Sequence, residues 1–214
     1  MTDLITINTN HPDPDILARA AAVLRAGGLV VYPTETVYGL AADALSAEAV
    51  RRVFDAKGRP AAQPLPVQIG QASDIDALAQ DISAEARALV AAFFPGPLTL
   101  VLPRRPAVPD LVTGGGETVG IRMPDHPVAL GILRAFGGPL VCPSANITTR
   151  PAPMSAAEAF ADLDGRVDLI LDGGPTTDRT PSAVLDLTTR PACLLREGKL
   201  TRATLSAFVE IRTP

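Results

Sequence analysis

A chain of 214 residues that is 47% apolar and 20% charged has the length for a sizeable core and the composition of an ordinary globular protein, which excludes disordered, fibrous and repeat architectures. Its net charge of −4 argues against a protein devoted to neutralising a long nucleic-acid backbone. No apolar run reaches the length of a membrane span and the first residues lack the basic and apolar regions of a secretory signal, so the expected location is the cytoplasm, with no membrane partner.

Residues 4–7 are expected to form a first strand. Asp13-Pro14 then offers an N-cap and N1 pair for a helix whose apolar face carries Ile16, Leu17, Ala20, Val23 and Leu24, and Gly27-Gly28 ends it. Residues 29–32 are a continuous apolar run, the pattern of a strand buried on both faces. They deliver Pro33-Thr34-Glu35-Thr36 at the carboxyl end, the edge where open α/β sheets bind ligands. Ser46 caps a second helix with Ala49, Val50, Val53 and Phe54 inward, and Gly58 closes it, so Lys57 and Arg59 emerge at its C-terminus.

Residues 65–69 read as a strand, 83–94 as a helix broken by Pro95-Gly96-Pro97, and 98–102 as the next strand. The run Gly114-Gly-Gly116 precedes a strand over 118–122 rather than a helix, and a helix from Pro127 ends at Gly137-Gly138. Strands follow at 139–142, 167–171, 182–187 and 192–196, closed by a helix over about 201–209. Several strands lie too close for helical crossovers, so the expected fold is α/β of the mixed α+β kind: one domain over 1–214 with a twisted mixed sheet and flanking helices.

Cys142 and Cys193 are far apart and have no metal-binding spacing, so buried strand thiols are expected. The triple glycine lacks the Gly-Lys-Ser/Thr and the helix start of a phosphate loop. His11 and His126 sit in polar or capping positions and suggest no catalytic triad. Asp and Glu do not cluster with metal-ligand spacing, so no protein side chain is expected to hold a metal; magnesium would ride in on substrate phosphates. Only Lys57 and Lys199 are lysines among 19 basic residues, which singles out Lys57 as a place where a compact ammonium is needed.

Six motifs stand in order along nearly the whole chain. They are Tyr32-Pro-Thr-Glu-Thr-Val-Tyr-Gly-Leu40, Lys57-Gly-Arg-Pro60 with Pro64-Leu65, Phe94-Pro-Gly-Pro-Leu-Thr-Leu100, Val119-Gly-Ile-Arg-Met-Pro124, Pro143-Ser-Ala-Asn146 and Leu195-Arg-Glu-Gly198. In this series the chain resembles the YrdC-like threonylcarbamoyl-AMP synthases, of the short, single-domain type. The resemblance implies a concave basic cleft with the K-x-R and S-x-N elements at its active site, Lys57, Arg59, Ser144 and Asn146. It implies ATP contacts at Arg59, Gln63, Thr118, Ser144, Ala152 and Arg196, and L-threonine contacts at Thr34, Thr36, Gln68, Arg122, Cys142 and Ser182.

The implied reaction joins L-threonine, bicarbonate or carbon dioxide, and ATP with magnesium into threonylcarbamoyl-AMP and pyrophosphate. Its product would pass to a tRNA threonylcarbamoyl-transferase complex for threonylcarbamoyladenosine modification, with weak direct tRNA binding an added expectation. The chemistry asks mainly for charge neutralisation and positioning. Lys57, Arg59 and Arg196 suit the triphosphate, and Arg122 a carboxylate. The chain departs from the family pattern where relatives carry Asn, His and Ser-Gly; here stand Gln63, Gln68 and Thr148-Thr149. Two alternatives differ in kind: a carbamoyl-adenylate-forming paralogue without threonine specificity, and an RNA-binding module of the same fold.

Overall fold

Capping decides where the principal helices begin. Asp13 accepts from the amide of Asp15 at the start of α1 (Pro14–Arg25), and Ser46 accepts from Ala49 at the start of α2 (Ala47–Lys57). Gly58 ends α2 in the left-handed region (φ 58), a conformation a side chain disfavours, and Lys57 is thereby the last helical residue. The computed structural model describes residues 1–176 and 180–212. Its remaining helices are α3 (Ile75–Leu78), α4 (Ala84–Phe93), α5 (Asp110–Thr113), α6 (Pro127–Phe136), α7 (Ala156–Leu163) and α8 (Arg202–Leu205).

The strands are β1 (Asp3–Thr6), β2 (Val30–Pro33), β3 (Tyr38–Asp43), β4 (Val67–Gln68), β5 (Leu98–Pro103), β6 (Thr118–Arg122), β7 (Leu140–Val141), β8 (Leu169–Asp172), β9 (Ala183–Asp186), β10 (Ala192–Arg196) and β11 (Ile211–Arg212). They form one mixed sheet in the order β1-β8-β2-β3-β7-β4-β6-β5-β9-β10-β11. The β2–β3 and β9–β10 pairs are antiparallel, as their short connections require, whereas β1–β8, β2–β8, β4–β6 and β5–β9 are parallel.

The two faces of this sheet are covered unequally. One face carries Val31, Leu40, Val67, Leu100, Ile121, Val141, Ile170 and Leu185 and is buried with apolar residues of α2, α4 and α7 from β8 across to β9. On the other, Val30, Tyr32, Ala41, Leu140, Cys142 and Leu169 pack under α1 and α6, which cover only the half containing β1, β8, β2, β3 and β7. The rest of that face, on β4, β6, β5, β9 and β10, is polar or half-buried. Among the described residues no helix is long and apolar enough to cross a membrane.

Several elements differ from the sequence reading. Residues 38–43 form a strand that was not expected, and the strand over 65–69 shrinks to Val67–Gln68. The C-terminal helix is a single turn, because the chain then extends as β11, pairing parallel with β10. Helix α7, also unforeseen, is capped by Ser155, which accepts from the amide of Glu158.

Candidate active site

Strand alternation selects which side chains share the uncovered half-face. In β6, Val119 and Ile121 point to the apolar side, so Thr118, Gly120 and Arg122 point to the other. Register carries this across neighbours: Arg122 lies opposite Gln68, Gly120 opposite Val101, and Thr99 opposite Val184, which in turn opposes Arg196 across a bulge in β10. Four of the expected site residues thus stand on the uncovered half-face, Gln68, Thr118 and Arg122 by alternation and Arg196 through the bulge, while Cys142, two residues beyond Leu140, lies on the same sheet face where α1 and α6 cover it.

The K-x-R and S-x-N elements meet directly. Lys57, only 1% exposed, donates its ammonium to the carbonyl oxygens of Ser144 and Asn146, each at 2.6 Å, and its own carbonyl accepts from the amide of Thr148. Burial, with the Arg59 guanidinium nearby, lowers the Lys57 pKa to about 8. Asn146 donates its side-chain amide to the carbonyls of Ile147 and Arg150, while Asp162 accepts from the amide of Ile147 and the guanidinium of Arg150. Among the described residues, Asn146 Oδ1 and Thr148 Oγ1 are buried without partners. Thr149 adopts φ 78, a left-handed backbone on a β-branched residue.

The β2–β3 loop forms the opposite wall. Thr34 Oγ1 donates to the Val37 carbonyl and lies 3.1 Å from Thr36 Oγ1, both side chains being buried. Between them Glu35 reaches Arg122 of β6: its Oε1 accepts from Arg122 Nη2 at 2.5 Å and from the amide of Asp125 at 3.0 Å. Arg122 also donates Nε to the Gly96 carbonyl at 3.2 Å, so its guanidinium is held at two points, with no hydrogen bond from Nη1 among the described residues.

Behind this pair lies a small buried polar cluster. The Tyr32 hydroxyl donates to Gln68 Oε1 at 3.0 Å with the Cys142 thiol beside it, and burial pushes that thiol up to about 12. Gly39 makes room for the thiol, since a Cβ there would stand 2.4 Å from Cys142 Sγ. On the far side of Arg122, Arg196 donates Nε to the Ser182 carbonyl and Nη2 to Ser182 Oγ, which also contacts Thr99 Oγ1 at 3.1 Å. Burial lowers the Arg196 pKa, and the nearby Arg122 charge lowers it further, so the two guanidiniums lie close enough to repel each other.

The other expected ATP contacts are placed less centrally. Arg59 donates to the carbonyls of Gln63 and Pro64, which closes its loop on itself; the Gln63 side chain is exposed, and Ala152 lies exposed in the extended segment after Arg150. A hollow of about 570 Å³ beside Ala152 is lined by Val37, Arg150, Met154, Glu158 and Asp162. Among the described residues no three His, Cys, Asp or Glu side chains are gathered for a metal ion. The sequence placed Glu35 at the ligand-binding edge but not its pairing with Arg122, and it missed Asp162, because these partners, Arg122 and Ile147 with Arg150, are set by tertiary contact.

Comparison with known proteins places this arrangement. The family model described as telomere recombination, covering Sua5, YciO and YrdC, matches residues 22–198. A threonylcarbamoyl-AMP synthase of Pyrococcus abyssi is 48% identical over 181 residues, 85% of this chain and 53% of that protein, and one of Bacillus subtilis is 44% identical over 204 residues, 95% and 58% respectively. The chain therefore spans little more than half the length of these curated relatives. The crystal structure of P. abyssi Sua5 complexed with L-threonine superposes with a TM-score of 0.94 at 42% identity, covering 99% of this chain and 63% of that one. With the family's model matched over most of its length and its two signature elements joined through Lys57, the chain belongs to the Sua5, YciO and YrdC family.

Proposed function

We propose that the uncovered half-face is the active site of a threonylcarbamoyl-AMP synthase, a nucleotidyltransferase that joins L-threonine, bicarbonate or carbon dioxide, and ATP. The observation that carries this reading is the fixed Arg122 guanidinium, flanked by Ser182 and Arg196 on one side and the Thr34–Thr36 loop on the other. A buried guanidinium with Nη1 unspent suits the amino-acid carboxylate, and hydroxyls nearby suit the threonine hydroxyl. Losing a buried hydroxyl partner rejects valine strongly, whereas serine differs by one methyl group, a discrimination of about 1–3 kcal/mol.

The carboxylated amine must then attack the α-phosphorus of ATP in line as pyrophosphate leaves. Arg196 and Arg59 are the cations available to phosphate oxygens, with Ser144 on the loop between; Lys57 holds that loop through its two carbonyl contacts. Magnesium arrives with ATP as part of the substrate. Gln63 and Ala152 would border the nucleotide, Ala152 through its backbone, and Thr118 would meet it from β6. The cytoplasm is the compartment that supplies ATP and tRNA. The product would pass to a tRNA-modifying transferase complex, and direct tRNA binding would be weak against a net charge of −4.

The test is pyrophosphate release from ATP, followed with and without threonine and with and without bicarbonate. Release that requires both supports the reading. Release driven by carbamoyl phosphate and indifferent to threonine, or salt-sensitive RNA binding with no such turnover, overturns it.

A further inference from the structure

We infer that Glu35 is a specificity-determining residue of the amino-acid subsite: its carboxylate, set beside the Arg122 guanidinium, receives the substrate's ammonium while the guanidinium receives the substrate's carboxylate. This rests on the reading of Arg122 as the carboxylate receptor and adds a residue that reading does not use.

The first support is geometric. An α-amino acid carries its two charges on one carbon, so a receptor for both must place an acceptor of positive charge directly beside its guanidinium. Glu35 does so at 2.5 Å, and among the described residues it is the sole carboxylate paired with Arg122. The contact spans 87 residues of sequence, joining the loop that carries Thr34 and Thr36 to the end of β6.

The second support is unspent bonding capacity. Oε1 takes two donors, Arg122 Nη2 and the Asp125 amide, while Oε2 is buried with no partner among the described residues. Buried carboxylate oxygens normally find a donor, and an ammonium brings three. The His126 imidazole does not supply a further cation: burial shifts it downward, although Glu35 and Asp125 oppose the shift, and among the described residues its Nδ1 is also without a partner. Charge balance points the same way. The Arg122 charge is close enough to lower the Arg196 pKa; without Glu35 two neighbouring cations would favour any small anion, whereas Glu35 offsets one of them and favours a zwitterion.

The experiment is equilibrium binding of L-threonine and of 3-hydroxybutanoate, which is threonine without its amino group, to the wild-type chain and to Glu35→Gln, with ATP binding as the check on folding. The wild type is expected to prefer threonine by at least about tenfold, and E35Q to lose about tenfold or more for threonine while holding or gaining affinity for 3-hydroxybutanoate, the size of one charge-assisted hydrogen bond. Equal weakening of both ligands in E35Q would mean that Glu35 merely orients Arg122, and the inference fails. A wild type that binds the two ligands alike also overturns it, whatever the variant does. Binding of neither ligand to the wild type removes the functional reading itself.

Discussion

The Lys57 ammonium and the Asn146 carbonyl oxygen lie 2.6 Å apart, so the end of α2 clamps a loop 89 residues further along the chain. The lysine that composition singled out is thereby a loop-holding group, with the Ser144 carbonyl as its second acceptor. Replacing it by methionine leaves two carbonyls without their donor, a loss of about 1.5–3 kcal/mol for each charged contact, and is expected to abolish threonine-dependent pyrophosphate release. Its titration gives a second check. The folded pKa of about 8 lies below the ordinary lysine value of 10.5, so between these limits the unfolded chain binds more protons and the contribution of this group to stability rises with pH. Wild type should gain up to about 1.4 kcal/mol per pH unit relative to Lys57→Met in that window, measured by denaturant melts at pH 8 to 10.

Asp162 holds the same loop from below, with one oxygen on the Ile147 amide at 3.0 Å and the other on Arg150 at 2.7 Å. Its side chain is 13% exposed, so the bond to the Ile147 amide is sheltered, whereas the Arg150 guanidinium is 56% exposed and its pairing is screened by solvent. Asp162→Ala is expected to cost about 1.5–3 kcal/mol, seen as a fall in Tm of roughly 3–12 °C, and to lower kcat more than it raises the KM for threonine. An unchanged kcat would separate Asp162 from the site.

Arg122→Lys tests the fork geometry. Lysine keeps the charge but cannot donate to Gly96, Glu35 and a carboxylate in one plane. The KM for threonine should rise by about tenfold or more while that for ATP stays within a few-fold, read from initial rates with each substrate varied in turn.

The departure at Thr149 also has a measurable cost. A β-branched residue at φ 78 stores strain that glycine does not, of order 1–2 kcal/mol. Thr149→Gly should therefore raise Tm by about 2–6 °C, although glycine loosens the unfolded chain and offsets part of the gain. A fall in Tm would show that the threonine side chain contributes more than its backbone costs.

Much of this was legible in the sequence where local physics decides. Asp13-Pro14, Ser46 and Gly58 fixed the first two helices because capping acts within a few residues. The Ser155-x-x-Glu158 signal for α7 was present and went unused. Strand β3 was hidden for a physical reason: Tyr-Gly-Leu-Ala-Ala-Asp has little intrinsic strand preference, and it is extended because it pairs with β2 and β7. In the site, the motifs included Glu35 but not its pairing with Arg122, and they left out Asp162; both roles arise from partners that the fold brings together.

Gly39 joins that strand to the site, and its packing supplies the last test. A Cβ at this position would stand 2.4 Å from Cys142 Sγ, while the next neighbours, Pro143 O and Thr34 Cγ2, lie at ordinary distances of 3.7 and 3.8 Å. Gly39→Ala alone should destabilise by about 1–3 kcal/mol, since the thiol is buried against Tyr32 and has little room to yield. Removing the sulfur in Cys142→Ala opens space for the added methyl, so the double variant should be more stable than the sum of the single changes predicts, with a coupling on the order of 1 kcal/mol or more. Strict additivity in denaturant melts would show that Gly39 is needed for its backbone rather than for the thiol. The same burial, which holds the thiol near 12, predicts that native Cys142 resists iodoacetamide at pH 8 and reacts once the chain is unfolded.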